Sequence, residues 1–78
     1  MNRTLKANIE IKPNDEGDQW CVKSCSANIN NKDLCPMPSG ELFRTKDLAI
    51  TEMKRRIMEW FKEKGCTETE DAVEWRIP

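Results

Sequence analysis

The longest hydrophobic pattern in the chain lies between Thr45 and Gly65, where apolar residues recur every three or four positions. This spacing predicts an amphipathic helix with one buried stripe. Thr45 can cap the first turn through its hydroxyl, and Gly65 supplies the usual left-handed stop. The stripe comprises Ala49, Ile50, Met53, Ile57, Trp60 and Phe61. The same face is therefore expected to pack on the rest of the protein.

Alternation of apolar and polar residues predicts strands on both sides of this helix. Over residues 4–12, every second residue from Leu5 is apolar, as in a half-buried strand. Pro13 and the acidic turn after it predict a hairpin into a second strand over residues 19–29. In that strand we expect Trp20, Val22 and Ser24 towards the core and Cys21, Lys23 and Cys25 on the other face. A final alternating strand is expected over residues 72–77.

The remaining segments complete the predicted fold. Residues 30–40 contain two prolines, a glycine and an asparagine pair, which is typical of a loop. Residues 41–44 are expected to form a short third strand, with Leu42 or Phe43 inward. The order β-β-β-α-β predicts an α+β, two-layer sandwich in which one long helix covers one face of a mainly antiparallel sheet. The predicted core contains Ile9, Trp20, Ile57, Trp60 and Trp75.

Composition narrows the class of protein. A chain of 78 residues fits one small α+β domain over residues 1–78. Its net charge is −1, so no general field attracts nucleic acid or an anionic membrane. No apolar run approaches the roughly 20 residues of a membrane span, and no signal-peptide core begins the chain. We therefore expect a cytoplasmic protein that does not bind membranes.

The chain has four cysteines and no histidine. Cys21 and Cys25 are separated by about 13 Å along the predicted strand, too far for both to bind one zinc ion or form a disulfide. We interpret the four cysteines as small, buried or half-buried residues of a reduced protein. Zinc binding and a disulfide are the alternatives. Without histidine, the commonest general base is missing. We predict no catalytic residue, metal site or cofactor, and no small-molecule substrate is indicated.

Lys54, Arg55 and Arg56 form a basic cluster in the predicted helix. Three consecutive helical residues point in different directions, so they cannot form a single stripe. Intrahelical pairs are expected between Glu52 and Arg56 and between Glu59 and Lys62. The cluster is thus predicted to be a solvated helix face. The alternative is nucleic-acid binding through this basic helix and the open face of the sheet.

Several short segments occur in an order typical of a known family. They are Asp15-Glu16-Gly17, Trp20-Cys21-Val22, Asp33-Leu34-Cys35-Pro36, and Thr45 with Ala49. With them, residues 5–64 resemble the N-terminal domain of HicB-type antitoxins. Longer members add a C-terminal DNA-binding module, and this chain ends at Pro78, so the resemblance implies protein binding without DNA reading. A double-stranded-RNA-binding domain has a similar sheet-then-helix order, but its leading helix and Lys-rich helix start are missing.

These features favour a non-enzymatic, protein-binding regulatory domain. An inhibitor- or antitoxin-like protein is the specific function that we consider. Edge strands carry unpaired N–H and C=O groups that can pair with another chain. Residues 4–12 and 72–77 are the expected edges, giving a homodimer or a β-augmented complex that Asn8→Pro should abolish. The candidate interaction surface comprises Lys6, Asn8, Glu10, Lys54, Arg55, Arg56, Glu74 and Arg76.

Overall fold

The computed structural model describes residues 3–36 and 40–77, with only the backbone described for residues 33–36. The elements in order are β1 (Leu5–Pro13), β2 (Trp20–Ile29), β3 (Asp33–Pro36), β4 (Leu42–Phe43), α1 (Lys46–Glu63) and β5 (Val73–Arg76), with a 3-10 turn over Glu70–Ala72 before β5. The predicted α+β fold, with one long helix packed on a sheet, is confirmed. The sequence-based order lacks one strand, because β3 lies where a loop was expected.

The sheet is mixed, with the strand order β3-β2-β1-β5, and β4 also pairs with β2. Strand β2 runs antiparallel to β1, β3 and β4, whereas β5 runs parallel to β1. The expectation that residues 4–12 form an edge is wrong. Strand β1 is central because the hairpin partner β2 takes one side of it and β5 takes the other.

A β-bulge in β2 changes which of its residues face the helix. Lys23 has no partner in β1, because Val22 and Ser24 pair with two consecutive residues of β1. An extra residue reverses the alternation of a strand. The buried residues after the bulge are Cys25, Ala27 and Ile29. The predictions that Cys25 faces outward and Ser24 inward are therefore wrong.

Helix α1 begins and ends as predicted. The backbone N–H of Leu48 donates to the Thr45 hydroxyl oxygen at 3.1 Å, and Gly65 has a φ of 86° after the last turn. The buried residues of the helix are Ala49, Met53, Ile57 and Phe61. Ile50 and Trp60 lie at the margins of this stripe and are half-buried. Within the described residues, no helix is both long and apolar enough to cross a lipid bilayer.

The core fills the space between α1 and the facing side of the sheet. Its largest fully buried side chains are Phe61, Leu5, Ile9, Met53, Ile57 and Val22. In β4, Phe43 packs against this core, whereas 48% of Leu42 is exposed. The short strand β4 thus turns one aromatic side chain inward and leaves its neighbour in solvent.

The three tryptophans lie at the rim of the core, so the prediction that they are buried together with Ile9 and Ile57 is only partly correct. Trp20, Trp60 and Trp75 are half-buried and pack against the core cluster. An indole N–H needs a partner, and that of Trp75 donates to the Glu70 carbonyl at 3.1 Å. A lysine ammonium group lies over each indole ring. Its distance from the ring centroid is 5.8 Å for Trp20, 5.9 Å for Trp60 and 5.1 Å for Trp75. Such contacts stabilise an aromatic ring at the border with water.

Candidate interaction surface

The sheet face turned away from α1 is polar, and we call it the open face. Its residues alternate with the core residues along β1, β2 and β5. They are Lys6, Asn8, Glu10, Lys12, Cys21, Ser24, Ser26, Asn28, Glu74 and Arg76. Five predicted interaction residues (Lys6, Asn8, Glu10, Glu74 and Arg76) lie on it. Lys54, Arg55 and Arg56 lie on α1, so the structure divides the predicted surface in two.

Two rows of side chains run across the open face from β2 to β5. One row contains Asn28, Lys6 and Glu74, and the next contains Ser26, Asn8 and Arg76. Neighbouring strands are about 4.8 Å apart, so each row spans about 10 Å. Between the rows lies a shallow groove of about 340 Å³, lined by Lys6, Ala7, Asn8, Ser26, Asn28 and Arg76. Strand pairing thus assembles one site from three segments distant in sequence.

The side chain of Asn28 is not fully satisfied by the fold. Its Oδ1 atom is buried and has no hydrogen-bond partner among the described residues. A buried acceptor without a donor is destabilising by about 1–3 kcal/mol. A binding partner that donates a hydrogen bond can reach this atom, and recover this free energy, once the Asn28 amide turns towards the groove.

The open face is positively charged although the whole chain is not. The Glu10 contact with Lys23 places the Lys23 ammonium on this face too. Its four basic groups are Lys6, Lys12, Lys23 and Arg76, against the acidic Glu10 and Glu74. The resulting net charge of +2 contrasts with −1 for the chain. Electrostatics therefore favours an anionic partner at this face.

The charges of the open face are only partly matched within the fold. The Lys23 ammonium lies 2.9 Å from the Glu10 carboxylate, and the hydrogen bond between them raises the pKa of Lys23. Lys6 and Glu74 are 3.9 Å apart, a longer and weaker contact. Arg76 forms no ion pair with any residue that the structure describes. The groove consequently contains one unmatched guanidinium group.

The basic cluster of α1 is different, because each of its cations is paired. The shortest contacts are Lys54 with Glu70 at 3.2 Å, Arg55 with Glu59 at 2.5 Å, and Arg56 with Glu41 at 2.6 Å. These glutamates neutralise the cluster locally. It therefore offers little unmatched positive charge to a phosphate backbone.

Glu52 accepts hydrogen bonds from two arginines of this cluster. The hydrogen bond from Arg55 is the main cause that lowers the pKa of Glu52 to about 2, with a further contribution from Arg56. The predicted pair of Glu52 with Arg56 is confirmed, at 3.0 Å. Glu59 pairs with Arg55 rather than with the expected Lys62. The prediction of intrahelical pairs is therefore only partly correct, because Lys54 and Arg56 also pair with glutamates outside α1.

The edges of the sheet are β5 on one side and β3 with β4 on the other. Among the described residues, the outer side of β5 pairs with no strand, so residues 72–77 do form an edge as predicted. Asn8 lies instead in the central strand, opposite both Ser26 and Arg76. A proline at position 8 would remove a backbone donor inside the sheet. Asn8→Pro would therefore disturb the sheet itself and cannot test edge pairing.

The three cysteines whose side chains are described do not assemble into a site. Cys21 is half-buried, Cys66 is buried, and both are free thiols in the described part of the chain. Cys25 lies in the core. The side chain of Cys35 lies outside the described residues. Over the side chains that the structure describes, no three potential metal ligands converge.

Ser26 and Asn28 are the polar groove residues that sequence reasoning missed. The bulge at Lys23 reverses the face of every later residue in β2, and this shift brings both side chains into the groove. A signal was present, because Ser24, Ser26 and Asn28 alternate with the less polar Cys25, Ala27 and Ile29. If the alternation is restarted after Lys23, it places both Ser26 and Asn28 on the open face.

The fold and the open face define the class of protein as a small α+β domain with one helix on a mixed sheet and a polar, uncovered sheet face. Comparisons with models of protein families, with curated proteins and with solved structures give no match in any of the three. The resemblance to HicB-type antitoxins stays a prediction.

Proposed function

We propose that the protein is a non-enzymatic regulatory domain that binds another protein through its open face. The observation that carries this proposal is the groove, where the buried Asn28 Oδ1 atom and the Arg76 guanidinium have no partner within the described fold. Groups that folding leaves unmatched gain most when a partner matches them. An inhibitor- or antitoxin-like protein, as the HicB resemblance implies, is the concrete version.

The edge strand β5 forms the border of this proposed interface. Glu74 and Arg76 belong both to β5 and to the open face. A strand added beside β5 would extend the sheet next to the groove, as in β-augmentation. The added strand comes from the target protein or from a second copy, which would make a homodimer.

A cytoplasmic location accompanies the proposal. Among the described side chains, Cys21 and Cys66 are free thiols, the usual state of cysteine in a reducing compartment. The proposed partner is therefore sought among proteins of the same compartment.

The test is a binding experiment with matched charge reversals. The wild-type protein is used to capture partners from an extract of its host, and each partner is purified and titrated against it. The variant Lys6→Glu/Arg76→Glu reverses two charges in the groove, and Arg44→Glu/Lys62→Glu reverses two exposed charges elsewhere. We expect the groove variant to lose binding and the control to retain it. Equal binding by both variants would exclude the open face, and absence of any protein partner would exclude the function.

Nucleic-acid binding through Lys54, Arg55, Arg56 and the open face is the second candidate. The net charge of +2 on the open face favours it, whereas the ion pairs of the helix cluster oppose it. Phosphate-driven binding weakens steeply with salt because counterions are released. A salt titration with generic DNA and RNA distinguishes the candidates, since binding that is tight at low salt and falls steeply would favour nucleic acid.

A further inference from the structure

We propose that the groove of the open face binds an extended acidic peptide segment, with a carboxylate at Lys6 and Arg76 and a backbone N–H at Asn28. This inference rests on the proposed function and specifies the chemistry of the partner. It follows from three properties of the groove, which are its cations, its buried acceptor and its neighbouring acidic groups.

The cations of the groove suit a carboxylate. Lys6 lies opposite Glu74, and Arg76 lies opposite Asn8, so the two cations are diagonal neighbours on adjacent strands, with Cα atoms about 8 Å apart. Arg76 has no ion pair with a described residue, and the contact of Lys6 with Glu74 is 3.9 Å. A guanidinium group matches a carboxylate with two parallel hydrogen bonds. One aspartate or glutamate side chain lying between the two cations can contact both.

The Asn28 oxygen, once its amide turns towards the groove, favours a ligand that also carries a hydrogen-bond donor. Asn28 occupies the row of Lys6 and lines the groove, and its Oδ1 atom has no partner within the described fold. A carboxylate or a phosphate diester offers only acceptors, whereas a peptide carries an N–H on almost every residue. Ser26 and Asn8 can donate or accept, so they suit either end of a peptide group. The ligand therefore combines a negative charge with backbone donors.

The acidic groups of the open face disfavour a polyanion. Glu74 lies beside Lys6, and Glu10 lies two residues along β1 from Asn8. A nucleic-acid backbone carries a charge at every nucleotide and would place phosphates over these carboxylates. A peptide with separated carboxylates can set one at the cations and keep neutral groups near Glu74. Charge complementarity thus favours an acidic peptide over nucleic acid.

Two-dimensional NMR of the nitrogen-15-labelled protein tests this inference with defined probes. The first probe is acetyl-Thr-Glu-Thr-Glu-Thr-amide, the second is its glutamine counterpart, and the third is an oligothymidine of about ten nucleotides. We expect the glutamate peptide to shift signals of Lys6, Asn8, Ser26, Asn28 and Arg76 saturably. Arg76→Gln should weaken binding about tenfold, as expected when a charged hydrogen-bonding partner is removed. Arg44→Gln, with the same charge change at an exposed residue outside the open face, should leave binding nearly unchanged.

Other outcomes overturn the inference. Equal affinity for the glutamine peptide would show that the carboxylate is not recognised, and shifts outside the groove would show that the site is wrong. Tighter, salt-sensitive binding of the oligothymidine to the groove would show that the ligand of the groove is a nucleic acid and not a peptide. If no probe binds while a captured protein still depends on Lys6 and Arg76, the acidic-peptide inference fails and the proposed protein binding stands. If the groove variants also leave that protein bound, both fail.

Discussion

The open face and the outer surface of α1 both carry several basic residues, yet they differ in how those charges are matched. On α1, Arg55 and Arg56 each contact two glutamates, and Glu52 is shared between them. On the open face, Arg76 has no ion pair with a described residue, and Asn28 has a buried oxygen without a donor. The difference shows that the number of basic residues is a poor guide to a binding surface, because folding has already used the charges of the helix.

Both surfaces depend on the same core, so the largest effect is expected there. Ile57 is fully buried between α1 and the sheet. Ile57→Ala should destabilise the protein by about 2–5 kcal/mol, because it removes buried methyl groups and leaves a cavity. Urea unfolding measures the loss, and Ile50→Ala, at the half-buried margin of the same helix, should cost less. An unchanged urea midpoint for Ile57→Ala would mean that this helix face is not the buried one.

The unmatched oxygen of Asn28 is expected to reduce the stability of the open face. Asn28→Val removes the unmatched oxygen and introduces a residue that favours strands, so we expect it to raise the free energy of unfolding by about 1–3 kcal/mol. Ser26→Val is the control, since Ser26 is exposed and the change should be small. Thermal and urea unfolding provide the measurement. A destabilised Asn28→Val protein would show that Asn28 is matched in the fold, and the contrast with α1 would be lost.

The pairing on α1 predicts a dependence of stability on pH. The hydrogen bond from Arg55 lowers the pKa of Glu52 from its ordinary value of 4.5 to about 2 in the folded protein. The charged carboxylate therefore stabilises the fold fully above pH 4.5, and this contribution is lost as the pH falls from there to about 2. Urea midpoints measured across this range should fall less for Glu52→Gln than for wild type. Parallel curves would mean that the Glu52 pairs contribute nothing in solution.

Replacing one arginine on each surface should change the stability of the protein only slightly. Arg55→Ala removes exposed pairs with Glu52 and Glu59, so a slight loss of stability is expected that disappears at about 1 M salt. Arg76→Ala removes no ion pair among the described residues and should leave stability unchanged at either salt concentration. Urea unfolding of the two variants side by side measures the difference. A salt-sensitive loss for Arg76→Ala would show that Arg76 is paired in solution.

The helix and the first hairpin could be predicted from the sequence because their causes are local. The Thr45 hydroxyl and the left-handed Gly65 each act on residues only a few positions away along the chain. The buried residues Ala49, Met53, Ile57 and Phe61 are likewise spaced three or four positions apart. In β1, strict alternation and Pro13 define the strand and its end. The sequence pattern correctly places the tryptophans on the core side of the fold, but it does not predict how deeply they are buried. They stay half-buried because a thin core has little room for an indole ring whose N–H needs a partner.

The candidate site was only partly predictable, because it depends on how distant strands pair. The single bulge at Lys23 decides that Ser26 and Asn28 face the groove, and only the register with β1 reveals it. The parallel docking of β5 on β1 decides that Arg76 lies beside Asn8. The residue types and their local periods were determined by the sequence itself. Which side chains share one surface was decided by the tertiary structure, since strand pairing depends on contacts between segments far apart in the chain.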